Sequence, residues 1–185
     1  MRMSELSGHG APIHIPADRL TLQGVTPAAA ADLSAGGGGG FDWLGGRPYE
    51  GTLEAAGMIL KACEAGVHRP EFGLFVLVRK EDGRAIGGMG FHGAPDEEGK
   101  AEIGYDLVES ARANGYATEA LRALSEWALA RGDVHVLMAT IEQGNTPSQG
   151  VAARAGFVRA TVEEERSVQE QHDAEAALRL YVRRD

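Results

Sequence analysis

Apolar and polar residues alternate over 19–25 (RLTLQGV), with Leu20 and Leu22 on one face, which predicts a short strand. Pro27 stands where a helix can begin, and 28–33 follows as a short helix that a glycine run ends. Residues 51–65 carry Leu53, Ala56, Ile59, Leu60 and Cys63 at helical spacing, with Thr52 as the expected N-cap and Gly66 as the stop. Strand patterns then dominate: 72–79 is apolar on both faces, KEDGR supplies a turn before 85–91, and the acidic APDEEG leads into 100–108. Two hairpins in succession predict an antiparallel meander. Residues 117–131 form the strongest helix, with a stripe of Ala117, Ala120, Leu121, Leu124, Trp127 and Ala128. A buried strand over 134–141, a helix over 147–155 and a strand from Phe157 follow, and an acidic hairpin loop and a closing strand over 176–182 complete the pattern. The order β, α, α, β, β, β, α, β, α, β, β predicts an α/β (α+β) fold, one mixed and mostly antiparallel sheet flanked by helices.

Composition narrows the picture. The 185 residues suit one domain, expected over 18–185, behind an aperiodic and poorly ordered lead-in over 1–17. With 18 basic and 27 acidic residues the net charge is −9, which argues against nucleic acid, whose binding rests on neutralising phosphates. The same balance suits a cationic or amine partner, or serves solubility alone. One cysteine, Cys63, excludes an internal disulfide framework and a cysteine-rich zinc site. No apolar run approaches the roughly 18 residues of a membrane span, and the first residues lack a secretory h-region, so a cytoplasmic protein is expected. Five consecutive glycines, Gly36 to Gly40, mark a flexible surface loop.

The densest chemical signal is ESARANGYATEAL, residues 109–121, where a strand turns into the strongest helix. Arg112, Gly115 and Ala117 stand in an R-x-x-G-x-A pattern at the turn. Unpaired N–H groups and the positive dipole end make a helix start suited to phosphate, and glycine lets backbone approach an anion closely. The other reading is a glycine-containing helix entry without a ligand. Competing phosphate motifs fail. Residues 88–93 spell G-x-G-x-x-G, but Ala94-Pro95 and an acidic loop follow instead of a helix. Neither G-x-x-x-x-G-K-[ST] nor G-x-S-x-G occurs.

Two separated motifs, AEIGYDLVESARANGYATEALRALSEWAL and NTPSQGVAARAGF, resemble the GNAT superfamily of acetyl-CoA-dependent N-acetyltransferases, nearest its RimJ/RimL-like branch. The matching positions are Glu102, Gly104, Tyr105, Arg112, Gly115, Tyr116, Ala117, Glu119 and Ala120, then Asn145, Ser148, Val151, Arg154, Gly156 and Phe157. The resemblance implies that backbone at Leu107 and Val108 bonds the pantetheine arm of acetyl-CoA. It implies that N–H groups across Arg112, Ala113, Asn114, Gly115, Tyr116 and Ala117 cradle the pyrophosphate, and that Asn145 bonds the pantetheine or caps the following helix. The family usually has a second glycine and a basic residue where this chain has Ala113 and Asn114, and a tyrosine acid where it has Ala152.

The implied reaction is direct attack by an amine within a ternary complex, without a metal. Glu102 is expected as the base, its pKa raised by partial burial, or else as a solvent-facing strand carboxylate. The oxyanion would be held by N–H groups near Leu107 or Val108. Ser148 is the expected acid or a simple helix-start residue; Tyr105 and Tyr116 are weaker options that also fit the core. Trp43 and Tyr49 are candidates for lining the acceptor pocket, Trp127 and Cys63 read as core, and His92 as a titrating or structural strand-end histidine. Asp96, Glu97, Glu98, Glu102, Asp106 and Glu109, against Lys100, favour a cationic or neutral amine if they face the cleft. The rival readings are an acyl-CoA-binding regulatory domain without turnover, and an N-acyltransferase for longer acyl groups. The expected state is a monomer or homodimer, free of membrane.

Overall fold

The computed structural model describes residues 11–172 and 176–185. Eight strands form one sheet: β1 (His14–Pro16), β2 (Leu20–Gly24), β3 (Leu74–Arg79), β4 (Ala85–Phe91), β5 (Lys100–Leu107), β6 (Val136–Glu142), β7 (Val158–Arg159) and β8 (Leu178–Arg184). Their spatial order is β1-β2-β3-β4-β5-β6-β8-β7. All neighbours are antiparallel except β5 and β6. That parallel pair is joined only from Lys100–Glu102 to Val136–Met138. Beyond it β5 runs on to Leu107 and β6 to Glu142 without pairing to each other, so the sheet opens into a wedge.

The helices are α1 (Pro27–Ser34), α2 (Glu50–Glu64), α3 (Tyr116–Leu129), α4 (Thr146–Arg154) and α5 (Val162–His172). Strand alternation separates two cores. Leu74 and Val76 of β3 pack with Val25, Leu33, Trp43, Ala56 and Ile59 under α1 and α2, whereas Phe75 and Leu77 face Leu121, Leu124 and the α3–α4 side. β3 and β4 are covered on both faces, which explains why β3 reads as an unbroken apolar run. Among the described residues no helix is long and apolar enough to cross a membrane.

Four expectations change. The sheet begins inside the expected lead-in, because His14–Pro16 pairs with Thr21–Gln23; residues 1–10 of that lead-in lie outside the described residues. The expected acidic hairpin loop contains α5, whose VEEERSVQEQH has no apolar stripe for a periodicity argument to find and no buried residue. It is tied to β8 instead by Glu164 to Arg184 and by Glu165 accepting from Leu180 N–H. Thr52 is not the N-cap of α2; Tyr49 is, and Thr52 lies buried in the first turn. The glycine loop is pinned, since Gly39 N–H donates to Asp32 and the Trp43 indole donates to Gly38 O.

Candidate active site

The turn before α3 contains two residues at positive φ. Gly115, the N-cap, has φ +78°, and Ala113 is the one non-glycine residue at positive φ (+62°) among the described residues. Ala113 thus sits where glycine relieves a steric conflict of about 1–2 kcal/mol, and two positive-φ residues bracketing Asn114 lead into the first turn of α3, whose N–H groups have no helical partner, a combination that suits an anion. Arg112 does not face this cradle with a free guanidinium: its Nε donates to Leu107 O (3.2 Å), and the group packs over the Tyr49 ring. Arg19 of the β1–β2 turn is the cation sequence reasoning missed. It donates to Asn114 O (2.9 Å), pairs with Glu119 (2.9 Å) and stacks on Tyr116. Its partners lie about a hundred positions away in the chain, so no local signal announces it.

The wedge between β5 and β6 opens beside this turn. Val108 N–H donates to Ile86 O and Glu102 C=O accepts from His92 N–H, both toward β4. By strand alternation the N–H and C=O groups of Tyr105 and Leu107 face the wedge. The Val108 N–H is therefore already engaged, which removes it as an oxyanion donor; Leu107 remains. Across the wedge the Tyr105 hydroxyl donates to Ser148 Oγ in the first turn of α4 (2.9 Å). Burial, opposed by Ser148 and by Arg154, pushes the Tyr105 pKa up. Asn145 is the N-cap of α4, its carboxamide oxygen accepting from Ser148 N–H (3.2 Å), which leaves its amide nitrogen for other bonds.

On the opposite face a cleft of about 490 Å³ lies between α2, the 67–74 segment, β4 and β5. Its apolar wall comes from Met58, Ile59 and Leu74, with Met58 42% and Val67 66% exposed at its rim; Phe72, Met89 and Phe91 border it, and their side chains pack in the α3-side core. α2 seats there through Asp106 of β5, whose carboxylate accepts from Thr52 N–H (2.9 Å), Thr52 Oγ1 (2.6 Å) and Gly88 N–H (3.2 Å). The literal G-x-G-x-x-G is structural: a Cβ on Gly88 would stand 2.6 Å from Thr52 Oγ1, and one on Gly90 2.4 Å from Gly73 O.

Glu102 points to this same face but is not part of the cleft wall; its side chain is 16% exposed. Its Oε2 lies 3.5 Å from His92 Nδ1 and 3.7 Å from His172 Nε2. Burial acts to raise its pKa, but the hydrogen bond and charge of His92, with Thr140 and His172 adding to them, win and hold it below the usual value. The expected upward shift is thus reversed. His92 itself lines the cleft and is raised, first by the Glu102 hydrogen bond.

Other expected site residues fall elsewhere. Trp43 is 3% exposed in the α1–α2 core, bridged to Ala85, because its indole satisfies its N–H on Gly38 and leaves the ring free to fill a gap. It does not line the cleft. Tyr49 accepts from Glu109 N–H and joins the turn side instead of the cleft wall. Tyr116 lies under Arg19, and Trp127 packs edge-on against Phe75. Cys63 is partly buried beside the second core, and burial raises its pKa. Of the acidic group, Asp106 is occupied by Thr52 and Gly88, Asp96 accepts from Glu98 and Lys100 N–H, and Glu98 pairs with Lys100. Among the described residues no cluster of three or more His, Cys, Asp or Glu is placed to hold a metal ion.

The family described as Acetyltransferase (GNAT) domain matches residues 19–158. The uncharacterized N-acetyltransferase YjdG of Bacillus subtilis (strain 168) is 39% identical over 87 residues, 47% of this chain and 52% of that protein. The chain thus spans about half the length of that relative. Solved acetyltransferase structures share the fold, among them two of RimL type. A RimL ribosomal L7/L12 alpha-N-protein acetyltransferase in complex with coenzyme A superposes with a TM-score of 0.63 at 18% identity, over 93% of this chain and 98% of that one. The acetyl transferase from Salmonella typhimurium that modifies the N-terminal serine of ribosomal protein L7/L12 gives 0.63 at 18% identity, over 94% and 99%.

Proposed function

The chain belongs to the acetyltransferase (GNAT) family, and from that premise we propose that it moves the acetyl group of acetyl-CoA to a primary amine by direct attack in a ternary complex. The Tyr105–Ser148 hydrogen bond across the wedge supports this reading, because a hydroxyl pair beside the free edge of β5 can deliver a proton to a departing thiolate. The Ala113–Ala117 turn fits the pyrophosphate, and the Tyr105 and Leu107 backbone fits the pantetheine arm as an added strand would. Asn145 offers its amide nitrogen to the same arm. One RimL-type neighbour is a coenzyme A complex, which supports coenzyme A as the ligand class.

The amine enters from the α2 side and attacks the thioester carbonyl. Wedge-facing N–H groups of Tyr105 or Leu107 stabilise the oxyanion. As the C–S bond breaks, the sulfur takes its electron pair and a proton from Ser148, which Tyr105 replenishes. Such a relay answers the absence of a tyrosine at Ala152. The proton lost by the amine passes to the Glu102–His92 pair. The apolar cleft wall suits an amine carried on an apolar body, including a peptide N-terminus.

The test is calorimetric titration with acetyl-CoA, followed by assay of free thiol with a panel of primary amines. Binding with thiol release supports the enzyme; binding without turnover supports a regulatory acyl-CoA-binding domain. Faster release from longer acyl-CoAs supports an N-acyltransferase of wider chain length.

A further inference from the structure

Glu102 and His92 divide between them the two things a base must do. Glu102 has the carboxylate, but its Oε2 is turned to two imidazoles and its side chain is mostly covered. His92, at the end of β4, has the access: its side chain is 50% exposed and belongs to the cleft wall. Its two nitrogens face different ways. Nδ1 faces Glu102 at 3.5 Å, and Nε2 stands over Gly104, where a Cβ would approach it to 2.7 Å. Gly104 is thus the space the ring occupies, one residue before Tyr105, whose hydroxyl meets Ser148.

We propose that His92 Nε2 is the atom that takes the proton from the acceptor amine, and that Glu102 is a positioning residue acting through Nδ1. This rests on the acetyltransfer reading above. The nitrogen lone pair of the neutral amine forms the C–N bond. The tetrahedral intermediate then loses an N–H proton to His92 Nε2, the C–S bond breaks, and the departing sulfur is protonated by Ser148. The imidazolium is held by the Glu102 carboxylate until it returns the proton to water, and Tyr105, having reprotonated Ser148, regains a proton from water. The direction of the perturbations agrees: Glu102 stays ionised and too weak a base, while His92 is drawn upward.

Other charged groups near the pair are accounted for. From α5, His172 Nε2 approaches Glu102 at 3.7 Å, while its Nδ1 lies 2.9 Å from Val168 O. Of the groups around the cleft, Asp106 is held by Thr52 and Gly88, Arg69 pairs with Glu71 and Asp133, and Glu54 and His68 lie on the α2 side.

The experiment measures kcat against pH at saturating acetyl-CoA, with arylalkylamines and short peptides bearing a free α-amine as acceptors. In the unsubstituted protein the acidic limb is expected above the ordinary imidazole value of about 6.5. His92→Gln should lower kcat about 100-fold at neutral pH and abolish that limb, with acetyl-CoA affinity unchanged in calorimetry. Glu102→Gln should lower kcat less and move the limb down toward the ordinary imidazole value, and Glu102→Asp should restore part of the shift. Gly104→Ala, which crowds the ring from below, should depress kcat without changing acetyl-CoA affinity. A His92→Gln protein with a normal rate and limb overturns the inference while leaving acetyl transfer standing. So does loss of the limb in Glu102→Gln but not in His92→Gln, which would make the carboxylate itself the base. No turnover of any acceptor by the unsubstituted protein overturns both readings.

Discussion

Tyr105 and Ser148 meet at 2.9 Å across the wedge between β5 and β6. Tyr105 belongs to a strand whose edge toward β6 is unpaired beyond Glu102, and Ser148 to the first turn of a helix capped by Asn145. The contact joins the two sides of the site, since Tyr105 also lines the α2-side cleft. If the pair works as a relay, Tyr105→Phe and Ser148→Ala should each lower kcat about 10- to 100-fold and leave acetyl-CoA affinity intact. The double variant should be less impaired than the product of the two, because either change alone breaks the same chain of protons. Steady-state thiol release with calorimetry checks both parts.

The turn before α3 makes opposite predictions at two neighbouring positions. Ala113→Gly removes a positive-φ conflict, so the protein should gain about 1 kcal/mol in urea unfolding and bind acetyl-CoA at least as well. Gly115→Val imposes a β-branched side chain at φ +78° and should weaken acetyl-CoA at least about 10-fold in calorimetry. Unchanged affinity there would remove the turn from the binding site.

Asp106 holds α2 against β5 by three hydrogen bonds, two of them to backbone N–H groups. Asp106→Ala leaves these donors without their acceptor and should cost about 2–4 kcal/mol in chemical denaturation. Thr52→Val removes one of the bonds while filling the same space, and should cost about 1–2 kcal/mol.

The His92–Glu102 pair gives stability a pH window. His92 has a raised pKa, so its contribution is complete below about 6.5 and is lost as pH rises through the higher folded value. Glu102 has a lowered pKa, so its contribution is present above about 4.3 and is lost as pH falls through the lower folded value. The stability difference between the unsubstituted protein and His92→Gln should therefore be largest between these pH values and shrink on both sides. Urea unfolding at a series of pH values checks it.

The exposed hairpin carboxylates are expected to be bystanders. Asp96 closes its own turn, Glu98 pairs with Lys100, and neither they nor Glu97 are part of the cleft wall. Replacing Glu97 and Glu98 by Gln should leave the Michaelis constant for an amine unchanged at low and at high salt. A salt-dependent rise would mean that these charges steer the acceptor, since steering is screened within about 8 Å at physiological ionic strength.

What the sequence alone determined is what local spacing encodes. The stripe of α3, the two-sided apolar run of β3 and the glycine at the turn are properties of neighbouring residues, so the sequence displays them directly. The two motifs around Arg112 and Asn145 likewise sufficed for the family. Tertiary structure decided everything that depends on residues meeting across the sheet. α5 has no apolar face to betray it and is held through β8. Trp43 reads as a pocket aromatic until the Gly38 carbonyl takes its N–H and allows the ring to be buried. Arg19 reaches Asn114 and Glu119 only because β2 passes beside the start of α3. Glu102 has its sign reversed for the same reason: burial alone would raise a lone carboxylate, but antiparallel pairing sets His92 beside it and α5 adds His172. Local periodicity records which face a side chain takes, while a pKa or a hydrogen bond belongs to a pair, and strand pairing chooses the partner.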